Sequence, residues 1–193
     1  MSRTMMISLV VALWSVSADA QWALDNDSSR ISFVSTKAGI AAEVHHFKAL
    51  DGRVDSNGNV TLSIDLDSVD TAIPIRDERM REMLFETGRY PTATLAATVD
   101  LEAIDALAAG ASMTTTAEAQ LMIHGATVSL TVELAVARLS EERLLVASTK
   151  PVIVNASQVG LLEGVERLRE VAGLPTISPA VPVTFVLSFD ATS

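Results

Sequence analysis

Among the 193 residues, three histidines (His45, His46 and His124) and a charged run (Arg76, Asp77, Glu78, Arg79, Arg81 and Glu82) have the types that do chemistry. Histidine titrates near neutral pH and ligates metals. Adjacent residues on a strand point to opposite faces, so His45 and His46 cannot easily share an ion. No H-x-x-x-H or H-x-H spacing exists, and no metal site is expected. The charged run reads as a solvated helix face with i,i+3 and i,i+4 pairs such as Glu78–Arg81 and Asp77–Arg81. The same run, Arg76 and Asp77 included, could instead hold a ligand headgroup. The nucleophile and metalloprotease patterns G-x-S-x-G, S-x-x-K and H-E-x-x-H are absent. Carboxylates within the alternating segments fall mostly on the polar face, whereas paired-carboxylate catalysis needs two inside one cavity. No catalytic residue is assigned. The chain also has no cysteine, which excludes thiol chemistry, cysteine-ligated zinc and disulfides.

The elements that must position these residues begin with an export signal. Arg3 is followed by an apolar stretch, Met5 to Val16, and by Ala18-Asp19-Ala20. This order of charge, apolar core and small residues predicts a signal peptide over 1–20, with the domain occupying 21–193. The apolar stretch is shorter than the roughly 20 residues that cross a bilayer as a helix, and no second such run follows. The net charge of −10 opposes nucleic acid and anionic lipid surfaces. Yet 49% of the residues are hydrophobic, which calls for a large apolar interior.

Strict alternation then dominates. Val60 to Asp67 puts four aliphatics on one face and hydroxyls and carboxylates on the other, the period of a half-buried strand. The pattern recurs over Val128–Val136 and Val181–Phe189, and more weakly over Ile31–Lys37, Val44–Val54, Thr92–Asp100, Met113–His124 and Arg143–Val154. Two segments break it. Pro74–Phe85 and Leu161–Ala172 have helical spacing, and the second ends at Gly173, a natural C-cap. The expected fold is therefore all-β: an eight-stranded antiparallel barrel or sandwich with two short inserted helices. The inward candidates are Phe33, Val44, Phe47, Leu62, Ile64, Phe85, Leu95, Leu121, Ile123, Leu130, Phe185 and Leu187. Each alone reads as ordinary core; as a set they could line a cavity. Periodicity does not choose between a filled barrel and a hollow one.

Several motifs in order carry a family resemblance. Trp22-Ala23-Leu24-Asp25 and Ser29-Arg30-Ile31-Ser32-Phe33 are followed by Val44-His45-His46-Phe47 and Asp51-Gly52. Ser68-Val69-Asp70-Thr71 then precedes Arg76-Asp77, Met80-Arg81, Phe85 and Tyr90-Pro91, with Leu121 to Thr127 further on. The chain resembles the YceI-like proteins over most of its length. It departs from them where a histidine stands for a usual glycine at 45 or 46, and where Ala156 and Val159 replace an arginine and an aromatic. The resemblance implies a lipocalin-like barrel exported to the periplasm, without stable membrane insertion. Its elongated cavity would accommodate an isoprenoid lipid or a quinone tail, and the resemblance also raises a homodimer. Three other readings stay open. One is a filled barrel acting through its surface. Another is a lipid-modifying enzyme using Arg76, Asp77 and His124. The third is an outer-membrane barrel, which 4% aromatic residues fit poorly because such barrels carry aromatic girdles.

Overall fold

The computed structural model describes residues 20–192. The expected signal peptide lies outside the described residues, apart from the backbone of Ala20.

Among the described residues eleven strands form one antiparallel sheet that closes on itself. In chain order they are β1 (Ala20–Lys37), β2 (Ala41–Phe47), β3 (Leu50–Asp55), β4 (Asn59–Asp65), β5 (Val69–Asp70), β6 (Thr92–Thr98), β7 (Ser112–Ile123), β8 (Ala126–Ser140), β9 (Arg143–Ser148), β10 (Val152–Asn155) and β11 (Ala180–Ala191). The expected eight is recovered in the ring β1-β3-β4-β6-β7-β8-β9-β11, which β11 closes by pairing back onto β1. The remaining strands extend ring positions. β2 and β3 both pair with β1, so the expected strand Val44–Val54 is one wall position broken at Lys48-Ala49. β9 and β10 share β11 in the same way, with the break at Thr149–Pro151. β5 is appended to β2.

β1 starts well before Ile31. Its register against β11 shifts between Asp25 and Arg30, where the four polar residues Asn26 to Ser29 interrupt the alternation. Helix α1 (Pro74–Arg79) runs into a wider π-type turn, Met80–Phe85. Helix α3 (Leu162–Val171) meets the expected Leu161–Ala172. Between them the chain forms a further helix, α2 (Leu101–Asp105), whose N-cap Asp100 accepts from the Ala103 amide at 3.1 Å. Five residues are too few to show a 3.6-residue period, so the sequence pattern does not announce it.

The alternation becomes two faces. On β8, Val132, Leu134 and Val136 are buried while Thr127, Ser129 and Thr131 are exposed. At one end of the barrel, here the mouth, lie the β1–β2 turn, α1 with its π-type turn, and α3. At the other end, the base, lie α2 and the start of β1. Each end has its own apolar cluster, one built on Phe33, Leu84, Phe85 and Val165, the other on Trp22, Ile104, Leu144 and Phe189. α3 packs closely on the π-type turn because Gly164 has no side chain: a Cβ there would lie 2.8 Å from Leu84 Cα and the Met83 carbonyl oxygen.

Candidate ligand-binding site

Between the two end clusters the barrel is hollow. The cavity measures about 260 Å³ as space open to the centre of a water-sized sphere, and it reaches from Trp22, Leu101 and Ile104 at the base to Phe85, Leu161 and Val165 at the mouth. Thr115 is the one polar residue among the described residues that line it. The space exists because several inward positions are small. Ala93, Ala97, Ala117 and Ala119 line it, and Ala97 faces Ala119 across β6 and β7. A closely packed core would fill those positions with larger side chains. A cavity with so few polar partners does not hold ordered water well and favours an apolar guest.

Of the inward candidates, Phe33, Phe47, Leu62, Ile64, Phe85, Leu95, Leu121, Ile123, Leu130, Phe185 and Leu187 lie on the cavity wall. Val44 does not. It is 70% exposed, on the outer face of β2, while His45 and Phe47 point inward. The reason is parity: residues 44 and 47 are three apart, so on a regular strand they face opposite ways. Arg76 and Asp77 are absent from the wall as well. They sit on α1 at the mouth, and both hold Thr71: Asp77 Oδ1 accepts from the Thr71 amide at 2.8 Å and its hydroxyl at 2.5 Å, and Arg76 Nη2 donates to the Thr71 carbonyl at 2.7 Å.

Sequence reasoning assigned no role to His45 and passed over Glu43, Lys37 and Ser35. Cross-strand register brings them together. Phe33 pairs with His45 and Ser35 with Glu43, so the inward face of the β1–β2 ribbon turns from apolar to polar toward its tip. Glu43 binds both Lys37, at 2.6 Å, and Arg76. The Lys37 hydrogen bond, with Arg76 beside it, holds the Glu43 carboxyl below its ordinary range. His45 is 2% exposed; burial first, then the Arg76 charge, holds its ring below the ordinary histidine pKa. The alternation of Phe33, Ser35 and Lys37 with Glu43, His45 and Phe47 was the signal available in the sequence.

His124 occupies the β7–β8 turn with a left-handed backbone (φ 50°). Its ring lies 4.4 Å from Tyr90, and its Nε2 lies 3.6 Å from Glu86, which Arg167 also holds at 2.7 Å. These contacts are separate from those of Arg76 and Asp77, so the three polar groups of the enzyme reading are not brought into one site. At the base, Arg138 is 6% exposed and its guanidinium lies 5.5 Å from the centre of the Trp22 ring. Its Nη2 donates to Asp105 at 3.2 Å.

A closed eight-stranded antiparallel barrel, polar outside and hollow and apolar inside, is the class this chain defines. The sequence profile of the YceI-like domain family matches residues 22–189. The chain belongs to the YceI-like domain family. It is 40% identical to a polyisoprenoid binding domain from Saccharophagus degradans implicated in plant cell wall breakdown, with a TM-score of 0.88 over 90% of this chain and 100% of that one. Burkholderia cenocepacia BcnA shares the fold at 19% identity and a TM-score of 0.67, over 86% of this chain and 98% of its own. A mutant CJ YCEI protein holding a monobromobimane guest shares it at 13% identity and a TM-score of 0.56, over 77% and 85% of the two chains. No curated protein matches the chain.

Proposed function

We propose that this protein is a binding or carrier protein that holds the long tail of an isoprenoid lipid or quinone in its barrel, in the periplasm after export. The observation that carries the reading is the apolar wall, with alanines where a filled barrel would place larger side chains. An isoprenoid tail gains about 0.8 kcal/mol for each CH₂ buried there, so affinity needs no charged anchor inside. The 40%-identical polyisoprenoid binding domain supports the same ligand class. Among the described residues no helix is long and apolar enough to cross a membrane. The separation of His124 from Arg76 and Asp77 favours binding over chemistry on the bound lipid.

The test is native mass spectrometry of the mature protein purified from its host, followed by organic extraction. A discrete added mass that extracts as a polyprenyl lipid or quinone is expected. An apo mass that stays unchanged after incubation with isoprenoid quinones overturns the reading and leaves a barrel that acts through its surface.

A further inference from the structure

Two stretches at the mouth set apolar residues in water with no charge among them. Ala38–Ala42, the tip of the β1–β2 hairpin, and Ala72–Ile75, which leads into α1, are exposed at every position. Ile40 is 92% exposed, and Val44 follows it on the outer face of β2. A Cβ built on Gly39 would meet no atom beyond its chain neighbours within 4 Å, so the tip projects clear of the protein. Its stem is braced: the Ala38 amide donates to the Thr176 carbonyl at 2.9 Å, and the Ser178 amide to the Thr36 carbonyl at 2.9 Å. Between the two stretches, Glu43 binds both Lys37 and Arg76, so the charges nearest the patch are already paired. Elsewhere on the barrel, exposed Ile153 and Val186 stand singly, each between two residues of the cavity wall. Runs of exposed apolar residues are uncommon on a soluble surface and mark a place where something binds.

The form of the patch says what covers it. Its tip is convex, and neither stretch holds a Trp, Tyr or Arg, the side chains that anchor protein–protein interfaces. A bilayer asks only for apolar area. On one side the patch gives way to α3, whose outward residues Glu163, Glu166, Arg167 and Glu170 are charged. Below the tip, the same two strands bring Phe33 and Phe47 to the cavity wall. An apolar guest drawn from a membrane would otherwise expose its whole tail to water on the way to that wall.

We propose that the hairpin tip and the Ala72–Ile75 stretch dock the barrel mouth on the surface of a lipid bilayer while the tail passes between membrane and cavity. The choice of a bilayer rests on the reading that the cavity holds an isoprenoid tail. Docking is reversible, because the net charge of −10 adds no attraction to anionic headgroups. The test floats the mature protein with phosphatidylcholine vesicles that contain no isoprenoid, so docking is read without cargo. The wild type binds. Ile40→Asp lowers the partition about tenfold, the worth of one aliphatic side chain withdrawn from the bilayer, and Ile75→Asp lowers it about threefold. Ile40→Trp, whose ring favours the headgroup level, binds at least as well as the wild type. Leu139→Asp, at the base and as exposed as Ile75, leaves the partition unchanged. All these positions are exposed, so urea midpoints stay near that of the wild type. A wild type that stays off the vesicles, or Asp variants at 40 and 75 that float as it does, overturns the docking patch. A dimer in solution that Ile40→Asp splits into monomers assigns the patch to a second copy and overturns it too. Cargo is read separately, by native mass spectrometry titration of the same proteins with a prenylated benzoquinone. Ile40→Asp that binds the quinone but not the vesicles is the expected result. Failure of the wild type to bind the quinone overturns the carrier reading, whereas docking is judged by flotation alone.

Discussion

At the base, one guanidinium closes the barrel: Arg138 lies over the Trp22 indole and is tied to α2 through the Ile104 carbonyl and the Asp105 carboxylate. At the mouth, closure is shared between α3 wedged on the π-type turn and a polar cluster of Lys37, Glu43, His45, Arg76 and Asp77. Both ends contain buried nitrogens without partners, Trp22 Nε1 and Arg138 Nε at one, His45 Nδ1 and Arg76 Nε at the other. They differ in what surrounds those nitrogens. The base is a plug inside an apolar cluster, whereas the mouth sets a charge-balanced cluster beside aromatic rings that line the cavity. The difference can be broken at several points.

The largest effect is expected at the wedge. Gly164→Val would push a branched side chain against Leu84 Cα and the Met83 carbonyl at a site where even a Cβ lies 2.8 Å away. Backbone cannot yield as a flexible side chain does, so urea titration should show a loss of about 3 kcal/mol. At the base, Arg138→Met keeps the apolar stem and removes the hydrogen bonds to Ile104, Asp105 and the Glu141 carbonyl. Asp105 is well exposed and would regain water. A loss of about 2 kcal/mol is therefore expected, in the range of hydrogen bonds to charged groups. If Arg138→Met instead exceeds Gly164→Val, the base and not the mouth is the tighter closure. Ala97→Leu acts between the ends. Its partner on β7 is another alanine, its partner on β4 is Val60, and the added carbons enter empty space. Stability should move by less than about 1 kcal/mol. Ligand affinity in the same mass-spectrometric titration should fall about tenfold, from lost tail burial.

How much of this was legible beforehand follows from the physics of each segment. Clean alternation in Val60–Asp67, β8 and β11 belongs to strands with one face wet and one dry, and such strands announce both their type and their inward set. Leu62 with Ile64, Leu121 with Ile123, and Phe185 with Leu187 share parity, and each pair lies on the wall. Val44 and Phe47 violate parity, and only the register of β2 against β1 decides that His45, not Val44, faces in. The hollow itself was written in Ala93, Ala97, Ala117 and Ala119, but small inward residues also serve close packing, so alanine alone does not distinguish the two. The mouth cluster joins residues from β1, β2 and α1, up to 42 positions apart in the case of Ser35 and Asp77, and no local pattern encodes such a meeting.

The pH response separates the mouth from the rest of the molecule. The His45 ring is held below its ordinary value of 6.5 by burial and then by Arg76, with Glu43, Lys37 and Asp77 as the other charged neighbours. The unfolded chain therefore binds the proton more readily than the folded one. The contribution to stability is full above about pH 6.5 and declines as the pH falls through 6.5 toward the lower folded value. The Glu43 carboxyl, held below its ordinary 4.5 by Lys37, adds a decline of the same sign only at still lower pH. Urea midpoints at pH 7.5 and 5.5 should thus fall in the wild type and fall less in His45→Phe. Equal falls in the two proteins would place the titrating group away from the mouth.

The smallest effect is expected at the base. Trp22 is 3% exposed, and its indole N–H has no partner. Trp22→Phe removes that unsatisfied donor, which favours the folded state, and removes part of a buried ring, which opposes it. The two terms are of similar size, so the net change should stay within about 1 kcal/mol. Urea titration of Trp22→Phe checks this, and a loss beyond about 2 kcal/mol would mean that the indole's packing outweighs its unpartnered N–H.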